Sequence, residues 1–172
     1  MRPAFNFEPK YRVAMLTRGE WTRGTGTPHV LKGLIWFTDW SRMKEGIGAG
    51  VDGQSVGRRI SISLGRYATV FQAEICGILA CAYEIQLYGR TEKYVNICSD
   101  SQATLKALQA ARRSPLVQQY QKALEDISTQ HTVVLNWVRG NELADKLARD
   151  GSVQKFVGPG PSLRVSRQSI RR

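Results

Sequence analysis

The sequence has little of the chemistry that binds soft metals or forms disulfides. Its 172 residues include only three cysteines and two histidines. Cys76, Cys81 and Cys98 cannot all pair, and no two of them have the Cys-x-x-Cys spacing of zinc and redox sites. We interpret them as small core residues in a reducing compartment, which argues against a disulfide scaffold and against a zinc site.

The sequence also lacks a long apolar segment. No uninterrupted run of about 18 apolar residues is present, and the first residues have no apolar stretch long enough for a signal peptide. We therefore expect no membrane partner and an intracellular location, cytoplasmic or nuclear. The apolar fraction of 42% is enough for one buried core and predicts one domain of ordinary size.

Acidic residues are few, and the excess of basic residues lies at the two ends. The net charge is +11, and residues 1–30 and 152–172 together carry ten basic and two acidic side chains. Basic flanks suit a polyanionic partner, because each phosphate contact with Lys or Arg releases counterions. The alternative is that the flanks only keep the domain soluble, and charge alone does not decide between the two.

The hydrophobic pattern divides the chain into three regions. Residues 1–30 show no sustained period and predict a basic linker or arm, residues 31–152 predict a domain, and residues 153–172 predict a basic tail. Within the domain the pattern predicts the order βββαβααβα. This is an α/β fold with a mixed five-stranded sheet and helices on its faces. A capping-box spacing, Thr69-Val70-Phe71-Gln72, opens the first helix.

Three carboxylates fall where this topology can bring them together. Asp39 and Asp100 follow the first and fourth predicted strands, and Glu74 lies in the first turns of the helix between them. If those two strands are neighbours, their C-terminal ends meet at the edge where open α/β sheets bind ligands. Asp145, in the last predicted helix, is a fourth candidate.

Each of these acids also has an ordinary structural explanation. Asp39 would be a turn residue, Asp100 a helix N-cap, and Glu74 a carboxylate near a helix N-terminus. Asp145 would pair with Arg149 one turn later. Taken singly, these explanations are favoured. Taken together, four converging acids would repel one another without cations, and hard oxygen ligands suit Mg²⁺ or Mn²⁺.

Such a cluster suits phosphodiester hydrolysis. Two divalent ions roughly 4 Å apart can activate a water and stabilise the leaving oxygen. We expect two Mg²⁺ ions, with Mn²⁺ as the alternative. The predicted catalytic and metal-binding residues are Asp39, Glu74, Asp100 and Asp145.

Five motifs occur in the order found in type 1 ribonucleases H. They are Thr38-Asp39-Trp40-Ser41, Gly48-Ala49-Gly50, Gln72-Ala73-Glu74, Cys98-Ser99-Asp100-Ser101-Gln102 and Arg139-Gly140-Asn141-Glu142-Leu143-Ala144-Asp145. Over about residues 31–152 the chain resembles a ribonuclease H-like domain. It is most similar to the domain attached to reverse transcriptases of insect-type non-LTR retrotransposons. The resemblance implies that the four acids bind metal and that the substrate is an RNA–DNA hybrid. A reverse transcriptase domain of the same polyprotein is a further candidate partner.

The resemblance also assigns residues beside the acids to nucleic-acid binding. We expect Ser41 and Gln102 to meet the backbone of the hybrid, and Trp40 and Asn141 complete the predicted contact set. Trp40 stands where the family usually has glycine. An indole there could obstruct the nucleic-acid backbone or stack on a sugar or base, and obstruction is favoured.

A second departure lies between the last strand and the last helix. The family usually has a histidine-containing loop before the Arg-Gly-Asn motif, whereas here Val138 leads directly into Arg139, about six residues shorter by that resemblance. Neither histidine can replace the missing one. His131 precedes the strand, some 20 Å from its far end at about 3.3 Å per residue, and His29 lies in the arm. Both are predicted to be surface residues.

Three hypotheses follow. The first is a metal-dependent endonuclease that cuts the RNA strand of RNA–DNA hybrids. The second is a catalytically impaired ribonuclease H-like fragment that binds nucleic acid without cutting, motivated by Trp40 and the short connection. The third, an interaction module unrelated to nucleic acid, has the least support because of the charge and the motif order.

Overall fold

The computed structural model describes residues 10–15, 31–110, 115–138 and 142–154. Within them lie six strands: β1 (Arg12–Ala14), β2 (Leu34–Arg42), β3 (Ile47–Gly53), β4 (Arg58–Gly65), β5 (Tyr94–Ser99) and β6 (Thr132–Trp137). The helices in the same residues are α1 (Val70–Leu87), α2 (Gln102–Gln109), α3 (Pro115–Ile127) and α4 (Glu142–Val153). A short 3₁₀ turn, Gln54–Val56, joins β3 to β4.

The strands form one mixed sheet in the order β1-β6-β5-β2-β3-β4. The first four strands in this order are parallel to one another, and β3 is antiparallel to both of its neighbours. The predicted α/β class is confirmed. The condition stated for the acids is met, because β2 and β5 are neighbours: Leu34 pairs with Val95 and Thr38 with Ser99. The C-terminal end of β5 therefore lies beside Thr38, and β2 runs on to Arg42.

The sheet has one strand more than predicted. The additional strand, β1, lies in the predicted arm and pairs with β6 from Arg12↔Val134 to Ala14↔Asn136. Tyr11, just before it, is buried, and its hydroxyl donates to the carbonyl of Leu108. Three residues are too few to display a strand period, which is why the pattern did not reveal β1. Residues 1–9, 16–30 and the tail beyond 154 lie outside the described residues, so the domain boundaries stay a prediction.

α1 is the main core helix. It begins at the predicted capping box, in which Thr69 Oγ1 accepts from the Gln72 N–H at 3.1 Å and Gln72 Oε1 accepts from the Thr69 N–H at 2.8 Å. Most of its side chains are buried against the sheet and α3. Among the described helices, α1 alone is long and apolar enough to cross a membrane. This is weak evidence for a span, because buried core helices pass the same test.

α4 lies directly on β3 because glycines leave room for it. A Cβ at Gly50 would come 2.0 Å from the carbonyl oxygen of Ala144, and a Cβ at Gly48 would come 2.3 Å from that of Ala148. Both alanines are fully buried. Since Gly50 pairs with Asp39 across the sheet, this contact places the first turn of α4 beside β2.

The three cysteines and His131 are buried in the core. Cys76, Cys81 and Cys98 are buried and free, as predicted. Burial raises the pKa of Cys76 and of Cys98 to about 12, so neither thiol is reactive near neutrality. The prediction that His131 lies at the surface is wrong, because it is buried with a ring nitrogen hydrogen-bonded to the carbonyl of Glu92.

Candidate active site

The C-terminal ends of β2 and β5 bring two of the predicted acids together. Asp39 is the residue of β2 after Thr38, and Asp100 directly follows Ser99, the partner of Thr38 on β5. Glu74 lies in the first turns of α1 and Asp145 in the first turn of α4. The charges of Asp100, Asp145 and Glu74 all raise the pKa of Asp39. The four side chains of Asp39, Glu74, Asp100 and Asp145 are called the acid cluster below.

Burial, with a smaller contribution from the neighbouring acids, raises the pKa of Asp39. Its pKa is raised to about 6, mainly by burial and then by the charges of Asp100, Asp145 and Glu74. The N–H of Trp40, which donates to Asp39 Oδ1 at 2.8 Å, lowers the pKa and offsets part of this rise. Burial, followed by Glu74 and Asp145, also raises the pKa of Asp100. Raised carboxyl pKa values of this origin mark a place where a cation would be stabilised.

Two hydroxyls from α2 hold Glu74. Ser101 Oγ donates to Glu74 Oε2 at 2.7 Å, and Thr104 Oγ1 donates to the same oxygen. Ser101 is also the N-cap of α2, since its Oγ accepts from the Thr104 N–H at 3.2 Å. The alternative explanation of Asp100 as this N-cap is therefore wrong. Ser101 and Thr104 were not predicted as site residues, although their spacing is that of an N-cap and its N3 residue.

Asp145 pairs with Arg149 within α4. Arg149 Nη2 lies 2.6 Å from Asp145 Oδ2, so the ordinary explanation weighed for Asp145 does occur in the structure. In the part of the chain that is described, no three His, Cys, Asp or Glu side chains are grouped as a ready metal site. The donor chemistry nevertheless suits a hard divalent cation, because the donors are carboxylates and the charges of Glu74 and Asp145 act on both Asp39 and Asp100. The ion pair engages Oδ2 of Asp145 and leaves its second carboxylate oxygen for a cation.

Ser41 and Gln102 flank the acid cluster. Ser41 lies two residues beyond Asp39 on the same face of β2. Gln102 is the exposed first residue of α2, two residues beyond Asp100. Contact of either side chain with nucleic acid stays a prediction. Asn141 and the short connection that precedes it lie outside the described residues.

Trp40 lies on the opposite face of β2 from Asp39. Successive side chains of a strand point to opposite faces, and the half-buried indole packs on Ile47, Ala68 and Ala73. The indole therefore does not lie over Asp39, and its obstruction of a nucleic-acid backbone stays a prediction. Its contact with nucleic acid stays a prediction, and its observed role is packing.

The end of β6 is attached to the end of β5. Trp137 Nε1 donates to the backbone carbonyl of Asp100 at 3.0 Å. The N–H of Val138 donates to the carbonyl of Ser99, also at 3.0 Å. The sequence predicted Trp137 and Val138 only as the end of the last strand, and no motif marked Trp137 as a site residue. A hydrogen bond across 37 residues leaves no pattern in the sequence.

The fold and the acid cluster define an α/β domain whose carboxylates gather where parallel strands end. The chain belongs to the RNase H family, whose model matches residues 32–153. This range includes all four residues of the acid cluster.

Two solved structures have a similar fold. One is the N-terminal RNase H domain of a Mycobacterium tuberculosis protein, fused to maltose binding protein. It has a TM-score of 0.51 and 17% identity, with 69% of this chain and 98% of that chain covered. The other is RNase H1 of the halophilic archaeon Halobacterium salinarum, with a TM-score of 0.51, 22% identity, and 69% and 96% covered. At these identities the likeness shows the fold alone. Among curated proteins, none matches the chain.

Proposed function

We propose that the chain hydrolyses the RNA strand of RNA–DNA hybrids, using divalent metal ions held by the acid cluster. The observation that carries this proposal is that three other family-motif carboxylates, Asp100, Asp145 and Glu74, lie near enough to Asp39 for their charges to raise its pKa. Burial and the other three charges raise the pKa of Asp39 to about 6. Ionised carboxylates that are partly buried beside one another destabilise the folded state. A cation bound between them offsets this destabilisation.

Asp39, Glu74, Asp100 and Asp145 would hold two Mg²⁺ ions, which supply an activated water and charge stabilisation at the leaving oxygen. The protein's own groups prepare this site. Ser101 and Thr104 orient Glu74 through its Oε2, and Arg149 pairs with Asp145 one helical turn away. Asp39 has to release its proton before it can act as a ligand.

The same edge of the molecule offers groups for a nucleic-acid backbone. Arg42 ends β2, and Arg66 and Tyr67 follow β4 on the neighbouring turn, where Tyr67 is 85% exposed. The two turns are in contact, since a Cβ at Gly46 would lie 2.9 Å from the carbonyl carbon of Gly65. Guanidinium groups suit phosphates, and recognition of an A-like hybrid depends on backbone and shape, so binding should be largely insensitive to sequence.

The biological setting is part of the proposal. The motif similarity to retrotransposon domains supports an origin beside a reverse transcriptase, which would then be the partner within one polyprotein. The buried, unpaired cysteines are consistent with an intracellular setting.

Cleavage of a hybrid labelled on either strand tests the proposal. With Mg²⁺ or Mn²⁺, we expect products from the RNA strand only, and none from RNA–RNA or DNA–DNA duplexes of the same sequence. Asp39→Asn should abolish cleavage while leaving hybrid binding intact. No metal-dependent cleavage by the natural chain at any salt concentration would overturn the proposal, and so would equal cleavage by Asp39→Asn.

A catalytically impaired domain that binds hybrids without cutting is the second candidate. Two observations favour it: the ion pair between Asp145 and Arg149, and the lack of a ready three-residue metal group in the described residues. Hybrid binding without cleavage would support it. Cleavage that appears only after the connection following Val138 is lengthened by about six residues would support it further, because repositioning a carboxylate by about 1 Å can change the rate 10²-fold.

A further inference from the structure

We propose that Trp137 is a positioning residue that fixes Asp100 within the acid cluster. This inference rests on the proposed function, because it concerns how one of the proposed metal ligands is held. Asp100 follows the last residue of β5, so the backbone hydrogen bonds of the strand end just before it. The indole N–H of Trp137, 3.0 Å from the carbonyl oxygen of Asp100, supplies the next hydrogen bond.

The attachment involves two consecutive carbonyls. Trp137 pairs with Ser99 in the sheet, and the N–H of Val138 donates to the Ser99 carbonyl at 3.0 Å. The indole N–H of Trp137 donates to the carbonyl of the next residue, Asp100. Fixing both carbonyls fixes the peptide plane on each side of the Asp100 Cα, and with it the direction of the Cα–Cβ bond that carries the carboxylate.

The same stretch of backbone leads to Glu74. The N–H of Ser101 donates to Ser99 Oγ at 3.2 Å, and Ser101 Oγ donates to Glu74 Oε2 at 2.7 Å. A shift of the Asp100 peptide would therefore move the hydroxyl that orients a second acid. Trp137 thus acts on two carboxylates through backbone and hydroxyl contacts. It need not touch the substrate.

A purely structural role for Trp137 makes a different prediction. Its ring is half buried and packs against the main core, so removing the ring would destabilise the protein in any case. Trp137→Phe keeps an aromatic ring and removes the N–H. Trp36→Phe is a matched control, because Trp36 Nε1 is buried and has no hydrogen-bond partner among the described residues.

The test measures Mn²⁺ binding without substrate, by the signal of free Mn²⁺ in electron paramagnetic resonance, together with hybrid cleavage. For Trp137→Phe we expect the Mn²⁺ Kd to rise about fivefold, the effect of losing one net hydrogen bond. We expect kcat to fall about tenfold or more while KM for the hybrid stays within about twofold. Trp36→Phe should match the natural chain in all three quantities.

The possible outcomes separate the two proposals. If the natural chain cleaves hybrids and Trp137→Phe binds Mn²⁺ and cleaves as well as it does, the positioning role is overturned and the proposed function stands. Equal losses in both tryptophan variants would also overturn it, since general packing would then explain the effect. A natural chain that neither binds Mn²⁺ nor cleaves hybrids overturns both.

Discussion

At the scale of a single residue, the raised pKa of Asp39 makes the charge of the acid cluster depend on pH. Its pKa is raised from 3.8 to about 6, first by burial and then by Asp100, Asp145 and Glu74. The folded state therefore binds the Asp39 proton more tightly than the unfolded state does. Ionised Asp39 opposes folding, and this destabilisation is absent below about 3.8 and fully present above about 6.

Replacing Asp39 by asparagine should stabilise the metal-free protein at neutral pH. We expect a gain of about 1 kcal/mol in the free energy of unfolding near pH 7.5, after allowance for solvent screening, and no gain near pH 4. Urea unfolding of both proteins in a chelating buffer, at the two pH values, measures this difference in the free energy of unfolding. Asp150→Asn, at an exposed acid of α4, is the control and should change stability little. A gain of the same size at both pH values would contradict the pKa assigned to Asp39.

The affinity for Mg²⁺ should fall as the pH drops through about 6. A proton on Asp39 competes with the metal, so the apparent Kd should rise about tenfold per pH unit below that value. Calorimetric titration of the natural chain between about pH 5 and pH 8 measures this. An affinity that stays constant down to the range of an ordinary aspartate, near 4, would show that Asp39 is not a ligand.

The sequence could identify the acids but not the groups that hold them. Asp100 directly follows a strand and Glu74 lies in the first turns of a helix, whereas Asp39 lies within β2, which runs on to Arg42. An ordered set of motifs supports all three. The hydrogen bonds of Ser101 to Glu74 and of Trp137 to Asp100 span 27 and 37 residues. Such contacts depend on how elements pack, which a local pattern does not encode.

At the scale of elements, the contact of α4 with β3 determines where Asp145 lies. Gly50→Ala would place a Cβ 2.0 Å from the Ala144 carbonyl oxygen and 2.5 Å from the Ala148 nitrogen, both backbone atoms. The helix must move away. We expect a loss of about 2–3 kcal/mol in stability and a fall in cleavage of about 10²-fold.

Gly57→Ala is the control that separates a loss of stability from a displacement of α4. Gly57 has a φ of 64° and an added Cβ would meet no atom within 4 Å, so this change costs strain of about 1 kcal/mol without moving α4. Stability measured by urea unfolding should fall in both variants, but cleavage should fall only in Gly50→Ala. Unchanged cleavage by Gly50→Ala would contradict the role given to this contact.

β1 is the element that the sequence did not reveal, and Tyr11 tests whether it belongs to the domain. The Tyr11 hydroxyl donates to the Leu108 carbonyl, and its ring is buried. Tyr11→Phe should cost about 1 kcal/mol and Tyr11→Ala about 3 kcal/mol in the free energy of unfolding. Urea unfolding of both variants measures this. If both variants were as stable as the natural chain, β1 would belong to the predicted arm of residues 1–30 and would contribute nothing to the fold.

At the scale of the whole molecule, the strand order is what makes the site. The order β1-β6-β5-β2-β3-β4 places the ends of β2 and β5 together, and the helices that follow or cover them carry Glu74 and Asp145 to the same edge. The predicted order of elements, together with the motif order, made this arrangement possible on the condition that β2 and β5 are neighbours, which the structure meets. It could not predict the position of Trp40, whose indole packs on Ile47 and Ala73. The i,i+4 spacing did indicate the pair of Asp145 with Arg149, which the structure contains.

The most direct test of the account compares RNA-strand cleavage by the natural chain with cleavage by Asp39→Asn, Glu74→Gln, Asp100→Asn and Asp145→Asn under single-turnover conditions in Mg²⁺. The account predicts RNA-specific cleavage by the natural chain and a loss of at least about 10²-fold in each variant, while every variant still binds the hybrid. Cleavage that survives in the Asp145→Asn variant would remove that residue from the site. Cleavage that is absent from the natural chain would contradict the central claim.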